Sequence, residues 1–293
     1  MLHRKAADTS YIGKIATLLE AIKFEHTVFA LPFAYLGMVL PARGLPTLWQ
    51  FLWITIAMVA ARTLAMGSNR LIDWRMDARN PRTAGRALPK GLLSANEMLA
   101  LCVVAAAVLL VAAWQLNDLC LKLAPLAIIW LVAYSYVKRF TYATHLILGL
   151  ADGLAPLGAW IAVTGRFELE AVILGLAVAV WIAGFDVIYA CQDIDFDRAN
   201  GVHSVPARFG VATALKVSSV MHVVTALLLL ALGPMLSLGV VYYIGWLIAV
   251  GLLIYEHRLV RPDDLSRLGV AFLNVNGYIA VIVFVFTFVS VVI

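Results

Sequence analysis

The sequence predicts an all-α, multi-pass membrane bundle of about nine transmembrane helices, and three observations predict it. The chain is 63% hydrophobic and only 13% charged, too few charges to cover a water-facing surface. Its apolar residues fall in long blocks: Leu99 to Trp114 and Gly269 to Ile293 contain no charged residue, and a helix needs about 20 mostly apolar residues to cross the hydrocarbon core. The basic residues alternate between connections, which is the signature of membrane topology. The mean hydropathy of +0.93 agrees.

Gly, Pro and charged residues mark the ends of the spans. The first, 22–41, stops at the loop from Pro41 to Pro46 and carries Pro32, whose missing N–H predicts a kink. The second, 48–69, runs into a long polar stretch from Asn69 to Asn96. Spans 95–115 and 119–137 are divided by Gln115 to Asp118, and Lys138 and Arg139 separate the latter from 142–163. Arg166 precedes 170–190, and a second polar stretch covers Asp186 to Gly210. Gly233 and Pro234 divide 211–232 from 236–256, and 269–292 completes the set. No linker interrupts the chain, so residues 1–293 read as a single transmembrane domain.

With the N-terminus placed in the cytoplasm, the inner connections hold Arg4, Lys5, Lys14, Lys23, Arg70, Arg75, Arg79, Arg82, Arg86, Lys90, Lys138, Arg139, Arg198, Arg208, Lys216, Arg258, Arg261 and Arg267. The outer ones hold Arg43, Lys122 and Arg166. One span more or fewer would mix the two sets, so the division supports nine spans with the N-terminus inside. It also accounts for the net charge of +5 without nucleic acid, because no basic cluster is interleaved with aromatics in a polar domain. The first span has no convincing cleavage site after it and reads as a retained helix. Cys102, Cys120 and Cys191 form no paired motif and read as packing residues.

Both long polar connections lie on the cytoplasmic side, and each carries acids at helical spacing. Asn69, Asp73 and Asp77 are spaced i, i+4, i+8, which aligns three oxygen-bearing side chains on one helical stripe. Asp193 and Asp197 repeat the interval, Asp186 lies about two turns earlier, and Asp195 points elsewhere. Oxygen ligands of this kind suit Mg²⁺, whose shell is completed by water and substrate phosphates. One such pair would read as ordinary solvated acids. Two on one membrane face, in a chain with 17 acidic residues, point to a metal–diphosphate site, because acids at a membrane are costly and functional by default.

At these residues the sequence resembles the UbiA superfamily of intramembrane aromatic prenyltransferases. The family's N-x-x-x-D-x-x-x-D motif matches Asn69, Asp73 and Asp77. Its second acidic motif matches Asp186, Tyr189, Asp193 and Asp197, and its Y-x-x-x-K-R-x-T motif matches Tyr134, Lys138, Arg139 and Thr141. The stretch from Asn80 to Pro89 is similar to the family's loop after the first motif. The resemblance implies nine helices around a central cavity capped by the two acidic loops. It implies a Mg²⁺-dependent transfer of a polyprenyl group from its diphosphate to an aromatic acid, within membrane lipid and without an obligate protein partner. Metal ligands would be Asn69, Asp73, Asp77, Asp193 and Asp197, with Asp73 and Asp193 central to catalysis. Lys138 and Arg139 would meet the leaving diphosphate, and Arg82 and Arg86 are candidates for the same work or topology markers. Tyr189 would face the allylic cation with its ring or simply pack between helices. Tyr134 and Asp186 complete the substrate-facing set.

Arg62 lies inside the second span, about two turns before Asn69. A charge at that depth should face the cavity, where it would hold an acceptor carboxylate or bridge to Asp152 or Glu25. Asp152 is a polar partner or a proton acceptor. The segment Lys23 to Pro32, including Glu25 and His26, is most similar to family members that act on 4-hydroxybenzoate in ubiquinone or menaquinone biosynthesis. A 1,4-dihydroxy-6-naphthoate acceptor would leave almost the same motifs. His145, His203, His222 and His257 show no metal-ligand spacing. A transporter is the rival from another class, but transporters gather polar groups near the midplane. The long motif of the CDP-alcohol phosphotransferases has no counterpart here.

Overall fold

The computed structural model describes residues 11–23 and 27–293. It is built from twelve α-helices: α1 (Tyr11–Ala21), α2 (Thr27–Ala42), α3 (Leu48–Asp77), α4 (Ala95–Leu116), α5 (Asp118–Val137), α6 (Thr144–Thr164), α7 (Leu169–Ala190), α8 (Ile194–Asn200), α9 (Val205–Phe209), α10 (Val211–Met235), α11 (Val240–Leu259) and α12 (Asn276–Val292). Seven of the described helical segments are long and apolar enough to cross a membrane; parts of α2 and all of α12 are shorter apolar helices. Each of the nine expected spans therefore has a helix among the described residues.

Polar residues at the span ends start the helices. Thr47 and Gln50 form a reciprocal capping box at α3, and Ser94 and Glu97 form one at α4. Asn117 caps α5 by accepting from the Cys120 N–H. Such caps satisfy backbone donors that would otherwise be orphaned near lipid. Large apolar side chains lie exposed along the outer faces, including Val103 and Trp114 on α4, Leu126 and Ile129 on α5, and Val220 and Leu227 on α10. A belt this extensive is the surface that hydrocarbon requires.

Three features differ from the sequence reading, and one extends it. Helix α3 continues beyond the span that ends at 69, through the first acidic motif to Asp77, as the stripe of Asn69, Asp73 and Asp77 requires, because nothing between Asn69 and Asp77 breaks a helix. The second polar stretch is mostly helical: a 3₁₀ turn (Cys191–Asp193), α8 and α9 succeed one another. Helix α2 passes continuously through Pro32, and the final span opens with a π-helical segment, Val270–Val275. Helix α1 precedes the first span.

The two halves of the bundle pack differently. Around α7, α10, α11 and α12 the core is filled by large side chains such as Leu174, Ile188, Leu232 and Ile279. Between α3, α4, α5 and α6 the inner faces are rich in alanine, among them Ala60, Ala61, Ala65, Ala105 and Ala151. Short side chains on converging helices leave room, and a cavity of about 770 Å³ opens there. Its far wall is held close by a seam of small residues between α6 and α7. A Cβ on Gly149 would stand 2.0 Å from the Ala179 carbonyl oxygen, and one on Gly153 2.5 Å from that of Gly175. Small residues let membrane helices approach at backbone distance.

Candidate active site

The mouth of the cavity is assembled from the ends of α3, α5 and α7 and the turns that follow them. Residues on both acidic motifs, Asp77 and Asp186, line it together with Arg82, Arg86 and Tyr189. The Ala78–Ser94 connection is folded back by its own side chains. Thr83 donates to the Asp77 carbonyl at 3.0 Å, and the Asn80 side chain accepts from the Arg82 N–H at 2.9 Å. This places Arg82 against the second motif, 111 residues away.

Asp73, Asp77, Asp193 and Asp197 each have a hydrogen-bonding partner. Asp73, almost fully buried, accepts from Lys138 Nζ, from Arg139 Nη2 at 3.0 Å and from the Asn69 amide at 2.9 Å. Asp77 accepts from Arg86 Nη1 at 2.6 and 2.7 Å. Asp193 receives a two-pronged contact from Arg82, Nε at 2.9 Å and Nη2 at 2.6 Å, and a third bond from Asn80 at 2.9 Å. Such forked guanidinium contacts are among the stronger hydrogen bonds. Arg82 also donates to the Tyr189 hydroxyl at 3.0 Å, with its guanidinium 5.2 Å from the ring centre. Burial alone would lower the Arg82 pKa, but the hydrogen bond to Asp193 and the charges around it hold it above its ordinary value. Asp197 is buried and accepts from Ser204 at 2.7 Å.

The sequence places a ligand set at Asn69, Asp73, Asp77, Asp193 and Asp197. Among the described residues, no three His, Cys, Asp or Glu side chains converge closely enough to hold a metal ion. Asp73, Asp77 and Asp193 are each engaged by a guanidinium or ammonium group instead of by one another. The donors themselves are carboxylate and amide oxygens, which fit a hard divalent cation. The cations that pair with them fit phosphate oxygens.

Arg62 and Asp152 meet deeper in the cavity, with Nη1 4.0 Å from Oδ1. Asp73 and Arg62 are eleven residues apart on α3, a depth of about 16 Å at 1.5 Å per residue. The Arg62 Nε is buried without a hydrogen-bond partner, so this guanidinium has capacity for another acceptor. Glu25 and His26 lie outside the described residues. Tyr134 lines the cavity, but its hydroxyl donates to the Ala65 carbonyl at 3.2 Å and is spent on packing. Arg139 additionally donates to the carbonyls of Ser135 and Ile72, both at 3.0 Å, which fixes it beside Asp73. Beyond Arg62 the cavity is apolar, reaching Leu116, Cys120 and Ile161.

Four contributors escape the sequence reading: His145, Asn80, Ser135 and Ser204. His145 reaches Asp186 at 2.7 Å, and Ser135 accepts from Asn69 at 3.4 Å. Asn80 had a signal, its place in the polar connection. The others carry none, since a lone His or Ser at a helix end is ordinary in any sequence.

Residues 30–289 match the model of the UbiA prenyltransferase family. The chain is 33% identical over 246 residues to a protein of Aeromonas salmonicida named 4-hydroxybenzoate octaprenyltransferase, covering 84% of each. It is 33% identical over 243 residues to one of the same name from Vibrio cholerae, covering 83% of this chain and 85% of that one. Among solved structures, a UbiA homolog from Aeropyrum pernix superposes with a TM-score of 0.83 at 33% identity, over 90% of this chain and 98% of that one. A homolog from Archaeoglobus fulgidus, bound to GPP and Mg²⁺, shares the fold with a TM-score of 0.73 at 17% identity, over 94% of this chain and 100% of that one.

Proposed function

The chain belongs to the UbiA prenyltransferase family, and we propose that it transfers a polyprenyl group from its diphosphate to 4-hydroxybenzoate, on the cytoplasmic side of the membrane, in quinone biosynthesis. It is an integral membrane prenyltransferase; the acceptor, the metal, the orientation and the residue roles are the proposal. The observation that carries it is the pairing of metal-type carboxylates with phosphate-type cations, Asp193 with Arg82, Asp77 with Arg86 and Asp73 with Lys138, where Asp77, Arg82 and Arg86 line the mouth of a cavity whose apolar chamber holds Arg62. The names of the relatives from Aeromonas and Vibrio support the choice of acceptor.

In this reading Asn69, Asp73, Asp77, Asp193 and Asp197 hold Mg²⁺, which when bound neutralises charge on the departing diphosphate. Lys138, Arg139, Arg82 and Arg86 bind the diphosphate oxygens. The allylic C–O bond breaks, a C–C bond forms to the electron-rich ring, and the ring proton leaves. The Tyr189 ring faces the developing cation. The apolar walls exclude water that would otherwise capture it. Arg62 orients the acceptor through its carboxylate.

The test is a prenylation assay on purified protein in lipid, offering geranyl diphosphate with 4-hydroxybenzoate or 1,4-dihydroxy-6-naphthoate, with Mg²⁺ or EDTA, beside Asp73→Ala. Prenylated 4-hydroxybenzoate that disappears with EDTA and with the variant is the expected result. Product with the naphthoate alone moves the acceptor. Absence of both product and diphosphate binding by folded protein defeats the reading and favours a transporter.

A further inference from the structure

His145 belongs to no motif, yet the residue is only 3% exposed and its side chain bridges two elements of the site. It is the second residue of α6, next to the small-residue seam that brings α7 to backbone distance. Its Nδ1 lies 2.7 Å from Asp186 Oδ2, and its Nε2 lies 3.3 Å from the backbone nitrogen of Val205 at the start of α9. A backbone N–H can only donate, so Nε2 accepts; the ring proton is then on Nδ1 and is donated to Asp186. Asp186 lines the cavity one turn before Tyr189, and the like-charged Asp152 lines it too. A carboxylate lining a largely apolar chamber needs a fixed donor to hold it in place.

We propose that His145 is a positioning residue for prenyl transfer, holding the Asp186 carboxylate toward the cavity so that it accepts a hydrogen bond from the hydroxyl of the aromatic acceptor. This rests on the function proposed above. His145 does not touch substrate; it acts through Asp186, as the orienting member of a nucleophile–base–orienter set acts through its neighbour. A bland alternative is available on the same geometry. Through Val205, His145 also steadies the corner where Ser204 holds Asp197, and a residue doing only that would matter to the metal and diphosphate side instead.

The experiment compares wild type, His145→Phe, His145→Asn, Asp186→Asn and the His145→Phe/Asp186→Asn double variant in lipid. Two quantities are read: kcat/KM for 4-hydroxybenzoate, and Mg²⁺-dependent binding of geranyl diphosphate without acceptor. His145→Phe is expected to lower kcat/KM by about 10- to 100-fold, the usual cost of losing an orienting partner, and to leave geranyl diphosphate binding intact. His145→Asn, whose amide nitrogen stands where Nδ1 stood, restores most of the loss and also covers the case in which the Phe variant fails to fold. In the Asp186→Asn background His145→Phe costs nothing further, because a residue acting through another is silent once the other is gone. The proposal is overturned by an equal further loss in that background, by an Asn variant as poor as Phe, by parallel loss of diphosphate binding, or by full activity of Asp186→Asn. A wild type that prenylates no acceptor sinks the function itself, and this assignment with it.

Discussion

Replacing Arg82 separates its two duties, holding the Ala78–Ser94 connection against Asp193 and binding diphosphate. The side chain makes two bonds to Asp193 and one to Tyr189, and about a third of it is exposed. A partly exposed ion pair contributes at most about 1 kcal/mol net, so Arg82→Ala should remain folded, with Asn80 still bonded to Asp193. Toward a diphosphate, each of the two fork bonds gives roughly 1.5–3 kcal/mol. Part of that is offset by releasing Asp193, and part by stripping water from the diphosphate and ordering the side chain, so only a fraction of the sum remains as surplus. A surplus of about 1.4 kcal/mol corresponds to tenfold in affinity. Arg82→Ala is therefore expected to raise the KM for geranyl diphosphate by about tenfold, while the KM for 4-hydroxybenzoate holds steady. Arg82→Lys keeps the charge without the fork and should recover less than half of the loss in free energy. Steady-state kinetics at saturating Mg²⁺ reads both constants. An unchanged diphosphate KM in folded Arg82→Ala protein, or full recovery by lysine, refutes the reasoning.

Other expectations concern the deeper chamber. Arg62→Ala should raise the acceptor KM at least tenfold, about 1.4 kcal/mol, and leave geranyl diphosphate binding alone; an unchanged acceptor KM in an active variant assigns Arg62 to the bridge with Asp152. Gly158 lines the apolar limb, and a Cβ placed there meets no atom within 4 Å. Gly158→Phe should fold, keep turnover with geranyl diphosphate and cut turnover with longer prenyl diphosphates, as read by product mass; equal loss for all lengths would place the prenyl tail elsewhere. Removing Mg²⁺ with EDTA should abolish turnover and excess Mg²⁺ should restore it, unless the carboxylates serve only their ion pairs.

What the sequence made legible was whatever depends on spacing. Uncharged runs fixed the spans, loop charges fixed their alternation, and the four-residue intervals of Asn69, Asp73 and Asp77 marked a helical stripe that α3 does carry. Contacts that depend on chain return were not legible. No local pattern says that Arg82 will meet Asp193 or that His145 will meet Asp186, whereas the bridge from Arg62 to Asp152 was one of two expected for a charge inside a span. Polar composition also hid α9, because hydropathy tells lipid from water and says little about backbone conformation beyond the membrane, whereas the interval from Asp193 to Asp197 did hint at α8. The ligand set illustrates both limits. Its residues were found by interval, but their side chains are turned toward cations supplied by other helices.

Those ion pairs have a thermodynamic consequence. Asp73, Asp77 and Asp193 are matched by Lys138 with Arg139, by Arg86 and by Arg82. A lone divalent cation that claims the acids strands the bases, and a lone diphosphate that claims the bases strands the acids; either leaves half-buried charge uncompensated. Arriving together, the two let every group trade one opposite charge for another, a double exchange that conserves the number of pairs. Metal and diphosphate should then promote each other's binding by the same factor, as linkage demands. Under the proposed function such a surface should stay nearly indifferent to free Mg²⁺ or to free diphosphate alone and respond to the two together.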